Sequence, residues 1–320
     1  MSSFQPFRDS TKHLGDGARL RDTLHEEGYL FLRRLVDPQQ IATVKQDIMR
    51  ILREHHIIED DGADDPMWSG GPHPTEGEYM AFYDKIARMD SFVQLAESPE
   101  IVALMEGIFD GPVQVWTQRL IRVMYPDPDA PAPIGLGAHQ DGNFRFGYQS
   151  QSFNACWMPL MEINQELGGL AVSPGSHIRG ELDHGGGSVA SSAKGVKEKK
   201  VFGLDAESRS WVTSDFEPGD AVIFTSLTVH RGILNRSDRI RLSCDFRYQR
   251  VDDSASWLAH TLGPDIRRVA QQIDELLSSR AFFVTTRASE ETIADVRLQM
   301  LEEKSTGLKR AQEIAKELAG

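Results

Sequence analysis

The chain has 320 residues, of which 40% are hydrophobic, and it carries a formal net charge of −13 at pH 7. This length and apolar content allow a substantial hydrophobic core. The negative charge argues against a nucleic acid or an anionic membrane as a partner, because phosphate groups require a basic surface.

The N-terminal region is predicted to consist mainly of helices, between about residues 17 and 110. A helix over 18–28 ends at Gly28, and a short apolar strand follows at 29–32. The dipeptide Asp37-Pro38 is typical of a helix N-terminus, with Asp37 as the cap and Pro38 in the first turn. Apolar residues at helical spacing predict further helices over 79–109.

An acidic stretch rich in glycine and proline, residues 58–78, interrupts these helices and contains Trp68. We interpret it either as a solvated loop or as a lid over a site.

The middle of the chain, about residues 113–250, has many short β-forming segments separated by turn residues. This pattern is typical of a sandwich or a barrel. The predicted strands are 113–125, 154–163, 168–172, 221–225 and 240–248. Helical patterns return at 264–281 and 289–318, so the order predicts an α+β fold in which residues 1–320 form a single domain.

Two residues of the segment 137–142, His139 and Asp141, point to a metal site. On a strand, side chains two residues apart project from the same face, so this imidazole and carboxylate can bind one cation. A second histidine, His230, follows the predicted strand 221–225. Two histidines and one carboxylate around an open metal position are the ligand set of non-haem Fe(II) oxygenases.

A cluster of turn residues at 234–239 predicts a hairpin that places His230 opposite Arg241. Arginine binds carboxylates through two parallel hydrogen bonds. An oxygenase that uses 2-oxoglutarate needs such a cation beside its metal. Arg239 lies on the same face by parity and is the alternative, but we prefer Arg241.

The chain carries four short motifs in this order: His139-Gln140-Asp141, Pro174-Gly175-Ser176-His177, Pro218-Gly219-Asp220, and His230 followed by Arg241. Together they resemble the motifs of the phytanoyl-CoA dioxygenase family of Fe(II)/2-oxoglutarate-dependent oxygenases. The resemblance covers about residues 20–250, including the segment 28–33, and leaves 251–320 uncovered. It implies a double-stranded β-helix core, which is a cupin-like jelly roll, flanked by N- and C-terminal helices.

The resemblance also implies roles for individual residues. His139, Asp141 and His230 would be the catalytic iron ligands. Family members that halogenate their substrate replace the carboxylate ligand with a small residue. Because Asp141 is present, hydroxylation or a related oxidation is favoured.

The co-substrate 2-oxoglutarate would be bound mainly by Arg241, which would hold its distal carboxylate. Trp157 matches a family position beside the co-substrate, and Gln140 and Gln118 are weaker candidates for this site. Gly232 stands where the family often has a serine or another small residue, so a hydroxyl contact to the co-substrate carboxylate would be missing.

The implied reaction hydroxylates an unactivated C–H bond of a small organic molecule, such as a specialised metabolite, with O2 as second co-substrate and succinate and CO2 as co-products. The aromatic residues after the metal motif could line the substrate pocket or belong to the core. If they line the pocket, nearby arginines could bind an anionic group of the substrate. These residues are Phe144, Phe146, Tyr148, Arg119, Arg122 and Arg145.

Two other functions use the same scaffold, because one fold supports many chemistries. One is a non-catalytic binding protein, and the other is a cupin-like isomerase or hydrolase with a different metal. The helices of 264–318 could cap the barrel or form a homodimer. His177 is interpreted as a structural histidine and Asp220 as a turn residue.

Cellular location is predicted from what the chain lacks. Its only cysteines, Cys156 and Cys244, are too few for a disulfide framework and are expected to be buried and reduced. The N-terminal region has no apolar run with a basic flank, and no apolar run reaches the ~18 residues of a membrane span. These features predict a cytoplasmic protein.

Overall fold

The computed structural model describes residues 4–59, 62, 64–68, 70, 73–116, 119–127, 137–142, 152–182 and 210–250. They all lie within Met1–Asp253, the first of two compact units in the chain. The predicted C-terminal helices, Gln118 and the aromatic residues at 144–148 lie outside the described residues. The prediction of a single domain therefore stays a prediction.

Helices and strands occur together, as predicted for an α+β protein. The helices are α1 (Gly17–Glu27), α2 (Pro38–Glu54), α3 (Glu76–Ala87), α4 (Asp90–Ala96) and α5 (Pro99–Phe109). The strands are β1 (Gln5–Pro6), β2 (Tyr29–Leu32), β3 (Val113–Val115), β4 (Leu120–Met124), β5 (Phe153–Pro159), β6 (Leu170–Val172), β7 (Val212–Thr213), β8 (Ala221–Thr225), β9 (His230–Gly232) and β10 (Arg241–Arg250). None of the helices among these residues is both long and apolar enough to cross a bilayer.

The predicted ends of the first two long helices are confirmed. Helix α1 ends at Gly28, whose φ of 81° lies in the left-handed region that glycine adopts without strain. Helix α2 begins with Pro38, and the Asp37 side chain accepts a hydrogen bond from the backbone N–H of Gln39.

The larger sheet has the order β2-β8-β5-β10-β3, and β4 pairs with the other part of β10. Its longest strand, β10, has two different faces. Phe246 packs against Phe92 with ring centroids 5.3 Å apart, and the Tyr248 hydroxyl donates to the carbonyl of Ala96, so this face meets helix α4. The opposite face of β10 carries its alternate, mostly polar residues: Arg241, Ser243, Asp245, Arg247 and Gln249.

The smaller sheet has the order β1-β7-β6-β9. A bridge between His139 and His230 adds the segment around residue 139 to the free edge of β9. The rings of Phe224 in β8 and His230 in β9 lie 4.4 Å apart, so the two sheets contact each other here. The two histidines and the polar face of β10 therefore belong to one buried region.

The predicted hairpin between His230 and Arg241 is wrong. Strand β9 pairs with β6, whereas β10 pairs with β3, β4 and β5 in the other sheet. Asn235 stabilises the intervening turn, since its side chain donates to the carbonyl of Arg239 within the turn and to that of Met124 at the end of β4. Residues 233–240 therefore cross between the sheets.

Two smaller predictions are confirmed. Cys156 and Cys244 are both buried and free, and burial raises the pKa of each thiol. Asp220 closes the turn before β8, because its backbone N–H donates to the carbonyl of Glu217. Its fully buried carboxylate also accepts hydrogen bonds from Arg33 and from the backbone N–H of Arg34.

Candidate metal centre

The structure brings His139, Asp141 and His230 together. One potential ligand atom from each lies within 4.8 Å of the others. The Asp141 Oδ1 atom is 3.6 Å from the Nε2 atom of each histidine. All three side chains are mostly buried, which limits the access of water to the cluster.

Main-chain hydrogen bonds hold the two histidines opposite each other. The backbone N–H of His139 donates to the carbonyl of His230, and the reverse bond also forms, both at 3.0 Å. Asp141 lies two residues after His139, so its side chain projects from the same face. Two segments far apart in sequence thereby supply one cluster.

Each histidine is held in the tautomer that a metal ligand needs. The Nδ1 atom of His139 is 2.8 Å from the carbonyl oxygen of Gly137, and that of His230 is 3.0 Å from the carbonyl oxygen of Thr228. A carbonyl oxygen can only accept, so Nδ1 carries a hydrogen, and in the neutral imidazole Nε2 then keeps its lone pair. Burial and the neighbouring His139 lower the pKa of His230 to about 3, which keeps this imidazole neutral at pH 7.

The carboxylate of Asp141 is kept ionised by its surroundings. Burial alone would raise its pKa, but Arg247 and the two imidazoles hold the pKa well below its ordinary value. The Nη2 atom of Arg247 lies 2.7 Å from Oδ2 of Asp141. One carboxylate and two imidazoles fit a divalent cation such as Fe(II).

Sequence reasoning missed Arg247, although its signal was present. Leu242, Cys244, Phe246 and Tyr248 alternate along β10, so Arg247 falls on the same face as Arg241. A strand that is apolar at every second position shows in advance which polar side chains face a buried site.

The predicted co-substrate residue Arg241 is a buried cation. Its Nη1 atom donates to the carbonyls of Gly168, Gly169 and Ile233. Among the described residues, none of its contacts is with a carboxylate, and its Nε atom is buried without a hydrogen-bond acceptor. Burial and the like charge of Arg122 lower the pKa of Arg241 to about 9.

Trp157 lies in the region between the sheets. It is opposite Asp245 in the register of β5 and β10, so it shares the polar face of β10. Its ring lies 4.8 Å from that of Phe216, and only 4% of the residue is exposed. This position is compatible with its predicted place beside a co-substrate.

Gln140 makes backbone contacts that differ from its predicted role. Its amide nitrogen donates to the carbonyls of Gly180 and Leu227, and its oxygen accepts from the N–H of Leu182. These contacts join three loop segments, so its predicted contact with a co-substrate finds no support.

Other candidate arginines are engaged with carboxylates. Arg119 forms an ion pair of 2.9 Å with Glu97, and Arg239 forms one of 2.7 Å with Asp65. Arg122 donates to Asp245 through both Nε and Nη2, with the shortest distance 2.8 Å. These pairings give no support to binding of a substrate anion by Arg119 or Arg122.

The structure also gives the contacts of His177 and of the acidic stretch around Trp68. The Nε2 atom of His177 is 2.8 Å from the carbonyl oxygen of His25, in agreement with a structural role. Trp68, in the acidic stretch, packs against His73 and Tyr125, with ring centroids 5.3 and 6.4 Å away. The neighbouring Met67 forms a bridge with Arg239, so this part of the stretch is anchored beside the start of β10.

Comparison with known proteins finds similarity to one enzyme family and to two hydroxylases. A sequence model described as phytanoyl-CoA dioxygenase (PhyH) matches residues 24–243. A 1-deoxypentalenic acid 11-beta-hydroxylase from Streptomyces arenae is 27% identical over 281 residues, covering 84% of this chain and 94% of the relative. A protein of the same name from Streptomyces exfoliatus is 26% identical over 279 residues, covering 82% and 92%.

Among solved structures, the epimerase SnoN in complex with Fe3+, alpha ketoglutarate and nogalamycin RO is similar in fold. The TM-score is 0.50 and the sequence identity is 21%, and the match covers 74% of this chain and 84% of SnoN.

Proposed function

The chain belongs to the phytanoyl-CoA dioxygenase family and is an Fe(II)/2-oxoglutarate-dependent oxygenase, and we propose that it hydroxylates an unactivated C–H bond of a small organic molecule. The two relatives named as hydroxylases of 1-deoxypentalenic acid support this reaction class. Its co-substrates are 2-oxoglutarate and O2, and its other products are succinate and CO2.

The observation that carries the proposal is the cluster of His139, Asp141 and His230 with its ligand atoms within 4.8 Å. We assign these residues as the iron ligands. Both Nδ1 atoms are used by backbone carbonyls, so both Nε2 lone pairs face the cluster with Asp141. Iron bound by this set supplies the activation of O2, which the protein side chains cannot provide.

Arg241 is the proposed partner of the distal carboxylate of 2-oxoglutarate. In the part of the chain that the structure describes, no carboxylate pairs with this buried guanidinium, and a dicarboxylate that enters the site would compensate its charge. Arg241 donates to the carbonyl of Ile233, three residues after His230, and three residues of strand span about 10 Å. A small dicarboxylate that bridges this separation can contact both the metal and the guanidinium.

The two sheets support a double-stranded β-helix as the core. Strands β8, β5, β10 and β4 would form one wall, and the segment at His139 with β9, β6 and β7 the other. In this arrangement the ligands come from the edge of the smaller sheet, and Arg241 comes from the facing strand of the larger sheet. We propose that Trp157, which lies between the sheets, packs against the co-substrate.

The two co-substrates account for every oxygen atom in the proposed reaction. One oxygen atom of O2 enters the hydroxyl group of the product, and the other enters the new carboxylate of succinate as CO2 leaves. The protein contributes orientation, through Arg241 and the three ligands, and exclusion of water by the buried walls.

Formation of succinate tests the proposal. We expect purified protein to convert 2-oxoglutarate to succinate only with Fe(II) and O2, and to consume O2 as it releases CO2. His139→Ala and Asp141→Ala should abolish this turnover. His177→Gln, which changes a histidine outside the ligand cluster, is the matched control and should keep it.

Undiminished succinate formation in the two ligand variants would remove the assignment of the site. Metal binding without O2 consumption would instead favour a cupin-like isomerase or hydrolase. Absence of both metal and 2-oxoglutarate binding would favour a non-catalytic binding protein.

A further inference from the structure

The two oxygen atoms of Asp141 have different partners. Oδ1 lies 3.6 Å from the Nε2 atoms of both histidines, at the centre of the ligand cluster. Oδ2 accepts a hydrogen bond of 2.7 Å from Nη2 of Arg247. The side chain of Arg247 is only 2% exposed, so this ion pair is shielded from water.

A second carboxylate, that of Asp245, lies near Arg247. The Nη1 atom of Arg247 lies 3.9 Å from Oδ1 of Asp245, and Asp245 accepts hydrogen bonds from both Nε and Nη2 of Arg122. The four side chains Arg122, Asp245, Arg247 and Asp141 therefore alternate in charge from strand β4 to the ligand cluster. This series places a carboxylate on each side of the Arg247 guanidinium, which favours its charged form in this position.

We propose that Arg247 is a positioning residue that confines Asp141 to coordination through one oxygen atom. This inference rests on the proposed function, since it takes Asp141 as a metal ligand. A carboxylate can bind a metal through one or both of its oxygens. With Oδ2 engaged by Arg247, only Oδ1 is presented to the metal, and the position that a second oxygen would occupy stays available for the co-substrates.

The orientation of a ligand by its hydrogen-bond partner is a general property of metal sites. Loss of such a partner typically lowers metal affinity by about 10–100-fold. For Arg247 we expect a second effect, because a released Asp141 carboxylate can rotate and bind through both oxygens. The number of ligands around the metal should then change, which a purely structural role for Arg247 does not predict.

Binding of Co(II) to the full-length protein tests this inference, because the visible absorption of Co(II) reports its coordination. We expect Arg247→Met to weaken Co(II) binding by about 10–100-fold and to change the Co(II) spectrum. Arg247→Lys should restore part of the affinity and a spectrum close to that of the wild type. Arg247→Leu, which also lacks a hydrogen-bond donor, gives a second neutral variant if Arg247→Met does not fold.

The matched control is Arg33→Met. Arg33 also forms a short ion pair with a buried carboxylate, 2.6 Å from Asp220, but this pair lies outside the ligand cluster. We expect the control to keep the wild-type Co(II) affinity and spectrum even if its stability falls.

The possible failures are distinguishable. A folded neutral variant of Arg247 with wild-type affinity and spectrum would overturn the inference and leave the proposed function intact. Wild-type protein that does not bind Co(II) would overturn the proposed metal site, and the inference with it.

Discussion

Arg239 forms an ion pair with Asp65, with 2.7 Å between Nη1 and Oδ2. Arg241, two residues further along, contacts backbone carbonyls, and none of its described contacts is with a carboxylate. Sequence parity places both arginines on the same face of the strand. Among their described contacts, only those of Arg239 include a carboxylate. We therefore keep Arg241, and not Arg239, as the proposed partner of the distal carboxylate of 2-oxoglutarate.

We predict that Arg241→Gln weakens binding of 2-oxoglutarate by about 2–5 kcal/mol, because the distal carboxylate loses its charged partner. Isothermal titration calorimetry with Co(II) in the site measures this loss, and Co(II) affinity itself should not change. Arg239→Gln is the control and should bind 2-oxoglutarate like the wild type. Equal weakening in both variants would contradict the assignment.

The stability of the metal-free protein should depend on pH through His230. Its pKa is about 3 in the folded protein and about 6.5 when unfolded, so between these values only the unfolded state binds this proton. The free energy of unfolding should therefore rise from about pH 3 to about pH 6.5, with a slope of up to about 1.4 kcal/mol per pH unit from this residue.

Urea unfolding with a chelator at several pH values between these limits measures the slope. The variant His230→Gln lacks the titrating group. The slope of its unfolding free energy against pH should therefore be smaller, by at most the contribution of one proton. Identical slopes in the two proteins would show that burial of this imidazole does not affect stability.

We predict that Asp220→Ala destabilises the fold without changing the metal site. The fully buried carboxylate accepts hydrogen bonds from the backbone N–H groups of Arg34 and Glu217. In the alanine variant each N–H group left without an acceptor costs about 1–3 kcal/mol. Urea unfolding measures the change. The control is Glu217→Gln, which removes an exposed ion pair with Arg34 and should cost about 1 kcal/mol or less. If Asp220→Ala loses Co(II) affinity as well as stability, the turn at Asp220 and the metal site are not independent of each other, which would contradict this prediction.

Substitution of Gln140 separates its structural role from the predicted co-substrate role. Gln140→Met should lower the free energy of unfolding by about 1–3 kcal/mol, because the N–H of Leu182 and the carbonyls of Gly180 and Leu227 lose their partner. The KM for 2-oxoglutarate at saturating Fe(II) should stay at the wild-type value. A large rise in that KM with unchanged stability would restore the original interpretation.

The local elements could be predicted because their signals are local. The cap at Asp37, the end of α1 at Gly28 and the turn at Asp220 each depend on residues a few positions apart. The metal motif is similar, since the parity of His139 and Asp141 holds for any strand. These features needed no knowledge of which strands pair.

The pairing of β9 could not be predicted in this way. The turn residues at 234–239 fit a hairpin as well as a crossing between sheets, because both need the chain to change direction. Which one forms is decided by distant partners: β9 pairs with β6, and β10 lies between β5 and β4. Arg241 was selected through that hairpin, so its assignment to the co-substrate stays a prediction, although the structure does bury its side chain.

The bridge between His139 and His230 consists only of main-chain atoms. Alanine at either position removes an imidazole but leaves both hydrogen bonds in place, so the backbone around the cluster should keep its shape. Such inactive variants could be used to capture the substrate. A metabolite that binds from a cell extract would stay unreacted, and mass spectrometry could identify it.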